Sequence, residues 1–252
     1  MSFQILIASL FFALVVVAKI PYTEEEGRLW WNYAQITSDS VDSISNLSCE
    51  RCPQFRGKLD NITNFYNIKS EIKGIISVYQ NESIVIGFRG TKNVQNFIQD
   101  LGALVLGKMS GCEGKCQVAV GFYNAYLTVR DEIMSTVQNL GGALATVGSM
   151  DFQLNYNIST NLMYTYGCPY TGNKQFASIL NQNLESNYRV THNADPIPHL
   201  PPSVNNYAHP GDEIFYNEKN TAYKVCERPE SKKCSNSVIL PVNMNDHTSY
   251  YE

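Results

Sequence analysis

Charge is scarce in this sequence, and it is not sorted by sign. Only 17% of the 252 residues are charged, the formal net charge is −4 and the pI is near 5.6. No basic stripe runs through the chain, which argues against nucleic acid as a partner. Internal repeats, low-complexity tracts and long linkers are missing too, which sets solenoid and disordered architectures aside. Long apolar runs are equally rare. The clearest, Ile5 to Ala18 in MSFQILIASLFFALVVVAKIPY, falls short of the about 20 residues that a membrane span needs. Val16 and Ala18 supply the small-residue pattern of a signal-peptidase site, so residues 1–18 are expected to be a cleaved secretory signal. The n-region has no Lys or Arg, and a signal anchor is the competing reading. Residues 19–252 are expected to form a single domain, and a 44% hydrophobic composition is enough for its core.

What is present fits an oxidising compartment, either extracellular or in the lumen of the secretory pathway. Seven cysteines read as disulfide material. Sequons for N-glycosylation begin at Asn46, Asn61, Asn81 and Asn157, and they are usable only on that route.

Periodicity supplies a coarse element order. EEEGRLWWNYAQITSDSV is a helix with acidic residues in its first turn. IKGIISVYQ and SIVIGFRGT flank the short turn NE and read as a strand pair. In NVQNFIQDL, Val94, Phe97, Ile98 and Leu101 recur at helical spacing, and residues 102–117 read as loop. Tyr126, Val129, Ile133, Val137 and Leu140 line one face of a further helix. NLMYTYGCPYTGN is strand then turn, KQFASILNQNL is helix, and YRVTH is strand running into NADPIPHLPP. Strands alternating with helices predict an α/β domain with a mostly parallel sheet.

Ordered blocks from about Ile72 to the C-terminus carry a family likeness. IVIGFRGTKNVQNFIQDL, VGFYNAY, YTYGCPYTGN, YRVTHNADPIPHLPP, YAHPGDEIFY and CSNSVILPVNMNDHTSYY together resemble the class 3, fungal-type triacylglycerol lipases of the α/β-hydrolase fold. The resemblance implies serine-dependent hydrolysis of acylglycerol esters, with a lipid or ester substrate met at a lipid–water interface. It implies no cofactor and no metal. It puts Asp195 on the triad acid, His247 on the triad base and Thr91 on the oxyanion hole, with Leu140 a second oxyanion candidate. His209 falls on a structural position. NVQNFIQDL falls on the lid. The chemistry agrees: a histidine takes the nucleophile's proton, a buried carboxylate orients it, and donors face the developing oxyanion. Taken singly, an aspartate before proline is ordinarily a turn former.

The nucleophile is the exception. A serine on a strand-to-helix elbow needs Gly-x-Ser-x-Gly, and no such pattern occurs in the chain. Aligned without a gap, Asn139 would replace the serine and Gln138 the preceding histidine, and an asparagine amide is no acyl-transfer nucleophile. The helical pattern, however, continues up to Gly141 with no β-branched run before it. Gly141, Ala145 and Gly148 then give a small-residue face suited to packing on a sheet. A turn, a central strand and the elbow, roughly 15 residues, are therefore expected to be missing between Leu140 and Gly141. A splice form or a misassembled reading frame explains such a loss more simply than decay does, because the flanking motifs are intact. Neither Ser135 nor Ser149 lies on an elbow-like sequence. The chain is expected to be inactive as it stands, either a lipid-binding pseudoenzyme or a shortened form of an active lipase.

Within the resemblance, Cys49 and Cys52 match a short disulfide pair of the family. Cys112 with Cys116, and Cys226 with Cys234, are also near one another in sequence, although spacing alone does not fix connectivity. Cys168 is left over and reads as a small buried hydrophobe. Zinc held by Cys49, Cys52, Cys112 and Cys116 is the alternative from another class.

Overall fold

The computed structural model describes residues 19, 21–80, 83–89, 105–140, 146–158, 160–201, 206–227 and 230–251. The signal-like segment, Asn81, Thr91, the lid-like stretch from Asn93 to Leu101 and the join at Gly141 lie outside them.

Helix α1 (Glu24–Ile36) begins where Thr23 Oγ1 accepts the Glu26 N–H at 3.2 Å, and three glutamates fill its first turn. Both features satisfy the positive, donor-rich end of a helix. A short α2 (Val41–Ser45) leads to β1 (Leu59–Asn67), β2 (Ile72–Tyr79) and β3 (Ser83–Phe88). These three form an antiparallel sheet in that order, with Tyr79 opposite Ser83 across the hairpin. Strand β1 has no counterpart in the sequence reading. Only Leu59 and Phe65 of it are buried, its Asp and Asn side chains lie outward, and a register shift falls between Asp60 and Thr63. An edge strand with a polar outer face gives little hydrophobic signal.

Two-residue strands β4 (Leu106–Gly107) and β5 (Val118–Ala119) lead into α3 (Val120–Leu140). Then come α4 (Thr146–Asp151), a π-turn over Phe152–Tyr156, β6 (Thr160–Tyr166), β7 (Gly172–Asn173), α5 (Lys174–Asn183) and β8 (Leu184–His192). Strands β9 (Tyr207–Ala208), β10 (Asp212–Tyr216) and β11 (Tyr223–Cys226) and helix α6 (Met244–Thr248) complete the chain. A second sheet has the order β11-β10-β8-β6, and a small antiparallel one the order β4-β5-β7-β9. Parallel pairing is confined to β6–β8 and β8–β10, so the architecture is a mixed rather than a mostly parallel sheet between helices.

Among the described residues β3 and β6 are not hydrogen-bonded to each other. Helix α3 stays helical to Leu140 and α4 begins at Thr146, which leaves residues 141–145 between them. That is too few for a turn, a strand and an elbow. Ile84, Val85, Ile86, Leu162, Tyr164 and Tyr166 on strands β3 and β6 are half-buried. Helices splint the two sheets instead. From α1, Tyr33 donates to Val85 O at 2.9 Å, while Gly27 O accepts from Tyr166 at 2.7 Å and Trp31 packs on the Tyr166 ring. On the opposite face one hydrophobic cluster joins Phe65 and Ile76 to Met163 through Tyr126, Val129, Ile133, Val147 and Met150.

Disulfides link Cys49–Cys52, Cys112–Cys116 and Cys226–Cys234. The zinc alternative fails on this point, since its four thiolates are consumed in two bridges, and no metal-holding group occurs among the described residues. Cys168 is free and half-buried, and burial pushes its thiol up to about 11 although the Arg189 charge acts the other way. Asn46, Asn61 and Asn157 are exposed. No helix among the described residues is long and apolar enough to cross a membrane.

Candidate active site

Strand β8 delivers the site. It is buried from Ser186 to His192, and beyond its end the chain turns through Asn193 into Asp195. The side chain of Asp195 is 1% exposed. Its Oδ2 accepts from His247 Nδ1 at 3.0 Å and from the Tyr250 hydroxyl at 2.6 Å, and its Oδ1 accepts from the Ile197 N–H at 2.8 Å. Three donors satisfy the enclosed carboxylate and fix its orientation. The His247 side chain is 22% exposed. With Nδ1 held on the carboxylate, Nε2 is the nitrogen left to take a proton, which is the tautomer a general base requires.

Helix α6 carries His247 and is clamped to the aspartate loop. The Asp246 carboxylate accepts from Asn193 Nδ2 at 2.9 Å and from Ala194 N at 3.0 Å, while Asn243 N donates back to Ala194 O at 3.0 Å. Gly167, at the end of β6, must be glycine. Its φ is +55°, and a Cβ there would lie 2.7 Å from the His247 ring and 2.8 Å from Asp195 Oδ2. The structure thus brings Asp195 and His247 together from 52 residues apart. Sequence reasoning missed Tyr250, the Ile197 N–H and Gly167. The pattern HTSYY, which follows the loop, is the one sequence signal of the tyrosine that folds back on the aspartate.

Other candidates are placed elsewhere. Thr91 lies outside the described residues. Leu140 is the last residue of α3, so its N–H belongs to the helical ladder rather than to an elbow. Ser149 is 2% exposed with its hydroxyl on Met163 Sδ, and the Ser135 hydroxyl donates to Glu132 O. Neither is drawn into the Asp195–His247 pair.

Beneath the site lies a buried polar layer. Arg189 on β8 pairs with Glu213 on β10 at 3.1 Å, both almost fully enclosed, and Glu213 Oε1 also accepts from Thr191 Oγ1 and Ser235 N. Burial acts to raise the Glu213 carboxyl, but Arg189 and those donors outweigh it and hold it below the usual range. His209 donates to Pro198 O at 2.8 Å and stacks on Tyr170 at 3.9 Å, tying β10's approach to the aspartate loop. This fits a structural rather than a reactive role. Burial, with the Arg189 charge, holds its imidazole well below the ordinary value, and burial also lowers His199.

A pH effect follows with a definite sign. An unfolded histidine titrates near 6.5, whereas folded His209 stays neutral, so below about pH 6.5 the unfolded state binds the extra proton. Stability is expected to fall as pH drops from 6.5, by about 1.4 kcal/mol per pH unit for His209 alone. Urea unfolding at pH 7.5 and 5.5 checks this, and His209→Gln should remove most of that slope.

Comparison with known proteins agrees with this arrangement. The sequence profile described as lipase (class 3) matches residues 139–205, a stretch that includes Asp195. A lipase of Rhizopus niveus is 28% identical over 234 residues, covering 84% of this chain and 59% of that protein. The secreted mono- and diacylglycerol lipase 1 of Fusarium solani is 30% identical over 196 residues, covering 68% and 57%. Among solved structures, lipase II from Rhizopus niveus superposes with a TM-score of 0.76 at 26% identity, covering 91% of this chain and 95% of that one. The chain spans less than two thirds of the length of these two curated relatives. By ordered motifs, sheet-and-helix architecture and these likenesses, the chain belongs to the class 3 lipase family and has the α/β-hydrolase fold.

Proposed function

We propose that this chain is a secreted lipase-family protein whose fold serves serine-dependent hydrolysis of acylglycerol esters, and which in the present form is a catalytically silent product lacking the nucleophile. The observation that carries this is the Asp195–His247 pair, ordered by Tyr250 and Ile197 at the ends of β8 and α6, beside two sheets that are not hydrogen-bonded to each other among the described residues. In a form that contained the elbow, His247 Nε2 would take the serine proton as it attacks the ester carbonyl and return it to the leaving alcohol. Asp195 would stabilise the imidazolium between those steps. Thr91 and an elbow N–H would receive the oxyanion.

Support for a loss comes from chain length as well as pattern. The comparison with the Rhizopus niveus lipase runs over 234 residues but takes in 84% of the 252 here, about 212, so about 22 compared positions have no residue in this chain. That number leaves room for the roughly 15 residues of a turn, a strand and an elbow. Secretion and use of the sequons belong to the same proposal, supported by the disulfides and by relatives named as secreted.

The test is ester turnover by the purified chain on p-nitrophenyl butyrate and a monoacylglycerol. The expected rate is that of the His247→Ala variant, within error. Turnover that His247→Ala abolishes would restore a working nucleophile to this chain and overturn the silent-product reading.

A further inference from the structure

Two of the sequon asparagines meet in one place. Asn46 follows helix α2 and Asn61 lies within β1, yet both line one surface cavity of about 350 Å³. Ser45, Arg56 and Asp60 line it too, and all five residues are exposed. The volume falls at the lower end of the roughly 300–1,000 Å³ of small-ligand sites. Amide, hydroxyl, carboxylate and guanidinium groups around such a space match a sugar that carries hydroxyls and an acetamide.

The backbone explains how Asn61 comes to line it. Pairing of β1 with β2 passes from Asp60 opposite Val78 to Thr63 opposite Ile76, and it skips Asn61 and Ile62. A bulge of this kind re-aims a side chain. Asn61 adopts φ +52°, a left-handed conformation that asparagine accepts better than most residues. Thr63, the hydroxyl residue of its sequon, is exposed as well. On the other side of the cavity, Asn46 closes α2 with its N–H on Asp42 O at 3.2 Å. Arg56 is tethered there by its Nε, which donates to Leu47 O at 3.1 Å.

We propose that Asn61 carries an N-linked oligosaccharide whose first N-acetylglucosamine seats in this cavity, against Asn46 and Arg56, and bridges the end of α2 to the bulge of β1. Asn46 serves as a contact and stays unmodified. In the attachment step, Asn61 Nδ2 bonds to C1 of the first sugar of a lipid-diphosphate-linked oligosaccharide. The bond from C1 to the diphosphate breaks, the lipid diphosphate leaves with the electron pair, and the amide nitrogen gives up one proton. The proposal rests on the secretory part of the reading above and is independent of ester hydrolysis.

The experiment compares the full chain secreted by a eukaryotic host with the same chain made in a bacterial periplasm, where the sequons stay bare. Peptide mapping by mass spectrometry should find the glycan on Asn61 and none on Asn46. In the secreted protein Thr63→Ala, which breaks the sequon but keeps Asn61, should melt about 2–4 °C below Thr63→Ser, which preserves it; that is the shift for about one net hydrogen bond. In the periplasmic protein the two variants should melt together. Arg56→Gln, at an exposed site, should speed enzymatic release of the glycan from the folded protein by about tenfold. A bare Asn61 or an occupied Asn46 would overturn the proposal. So would equal midpoints for the two secreted Thr63 variants, or release that Arg56→Gln leaves unchanged. With a glycan on Asn157 alone, only this proposal fails; with none at any sequon, the secretory reading fails with it.

Discussion

Insertion of a turn, a β-branched strand and Gly-x-Ser-x-Gly between Leu140 and Gly141 is expected to raise ester hydrolysis from background by about 10⁴-fold or more. The size follows from how a triad behaves as a unit: removing a serine nucleophile costs about 10⁶-fold in a comparable hydrolase, and Asp195 and His247, the proposed acid and base, already lie 3.0 Å apart here. Part of the full factor is withheld because a grafted elbow will not reach native placement, and a 1 Å misplacement costs about 10²-fold. Three controls assign the gain. Changing the inserted serine to alanine and His247→Ala should each return the rate to background. Asp195→Asn should lower it by about 10⁴-fold, because the imidazole would be held in the wrong tautomer. Turnover of p-nitrophenyl butyrate measures all of these. The inserted strand should also close the sheet between β3 and β6, so its thermal midpoint should exceed that of the present chain. A folded insertion product with no activity would mean that Asp195 and His247 are not positioned for catalysis.

Glu213→Gln is expected to be the most destabilising conservative change in the domain. Arg189 is 3% exposed and its charge faces Glu213 at 3.1 Å. Removing only the carboxylate leaves a buried cation without its counter-charge, which costs about 3–5 kcal/mol. Against a typical total of about 5–15 kcal/mol, that is a large fraction in a fold whose sheets are already splinted by helices. At about 2–4 °C per kcal/mol for a domain of this size, the midpoint should fall by roughly 6–20 °C in a circular-dichroism melt. Replacing both partners, as Arg189→Met with Glu213→Leu, should cost far less, since no charge is then stranded. Equal losses in the single and double variants would mean that packing, rather than the ion pair, sets the cost.

The parts of this molecule that were legible in the sequence are those written in local pattern. Helical spacing marks α3 to Leu140, and the described residues are helical up to that point; the β2–β3 hairpin follows from its two β-branched runs and short turn. The ordered blocks placed Asp195 and His247, which the structure brings to 3.0 Å. The remainder depends on register and on distant parts of the chain. Whether Arg189 meets Glu213 is decided by the parallel alignment of β8 with β10, which no hydrophobic period encodes. Tyr250 reaches Asp195 across 55 residues, and only the fold of α6 onto the aspartate loop makes that contact. Strand β1 was hidden because its outward face is polar. The mostly parallel sheet expected from alternation gives way to a mixed one, because the run of parallel strands stops at β6.

The central claim is that a contiguous segment carrying a strand and its serine is missing at one join. Long-read sequencing of the transcript across the codons for Arg130 to Ala145, read beside the genomic DNA, tests it most directly. The account predicts an in-frame genomic stretch between the codons for Leu140 and Gly141 that encodes a β-branched strand followed by Gly-x-Ser-x-Gly. Genomic DNA that runs straight from the Leu140 codon to the Gly141 codon would contradict it.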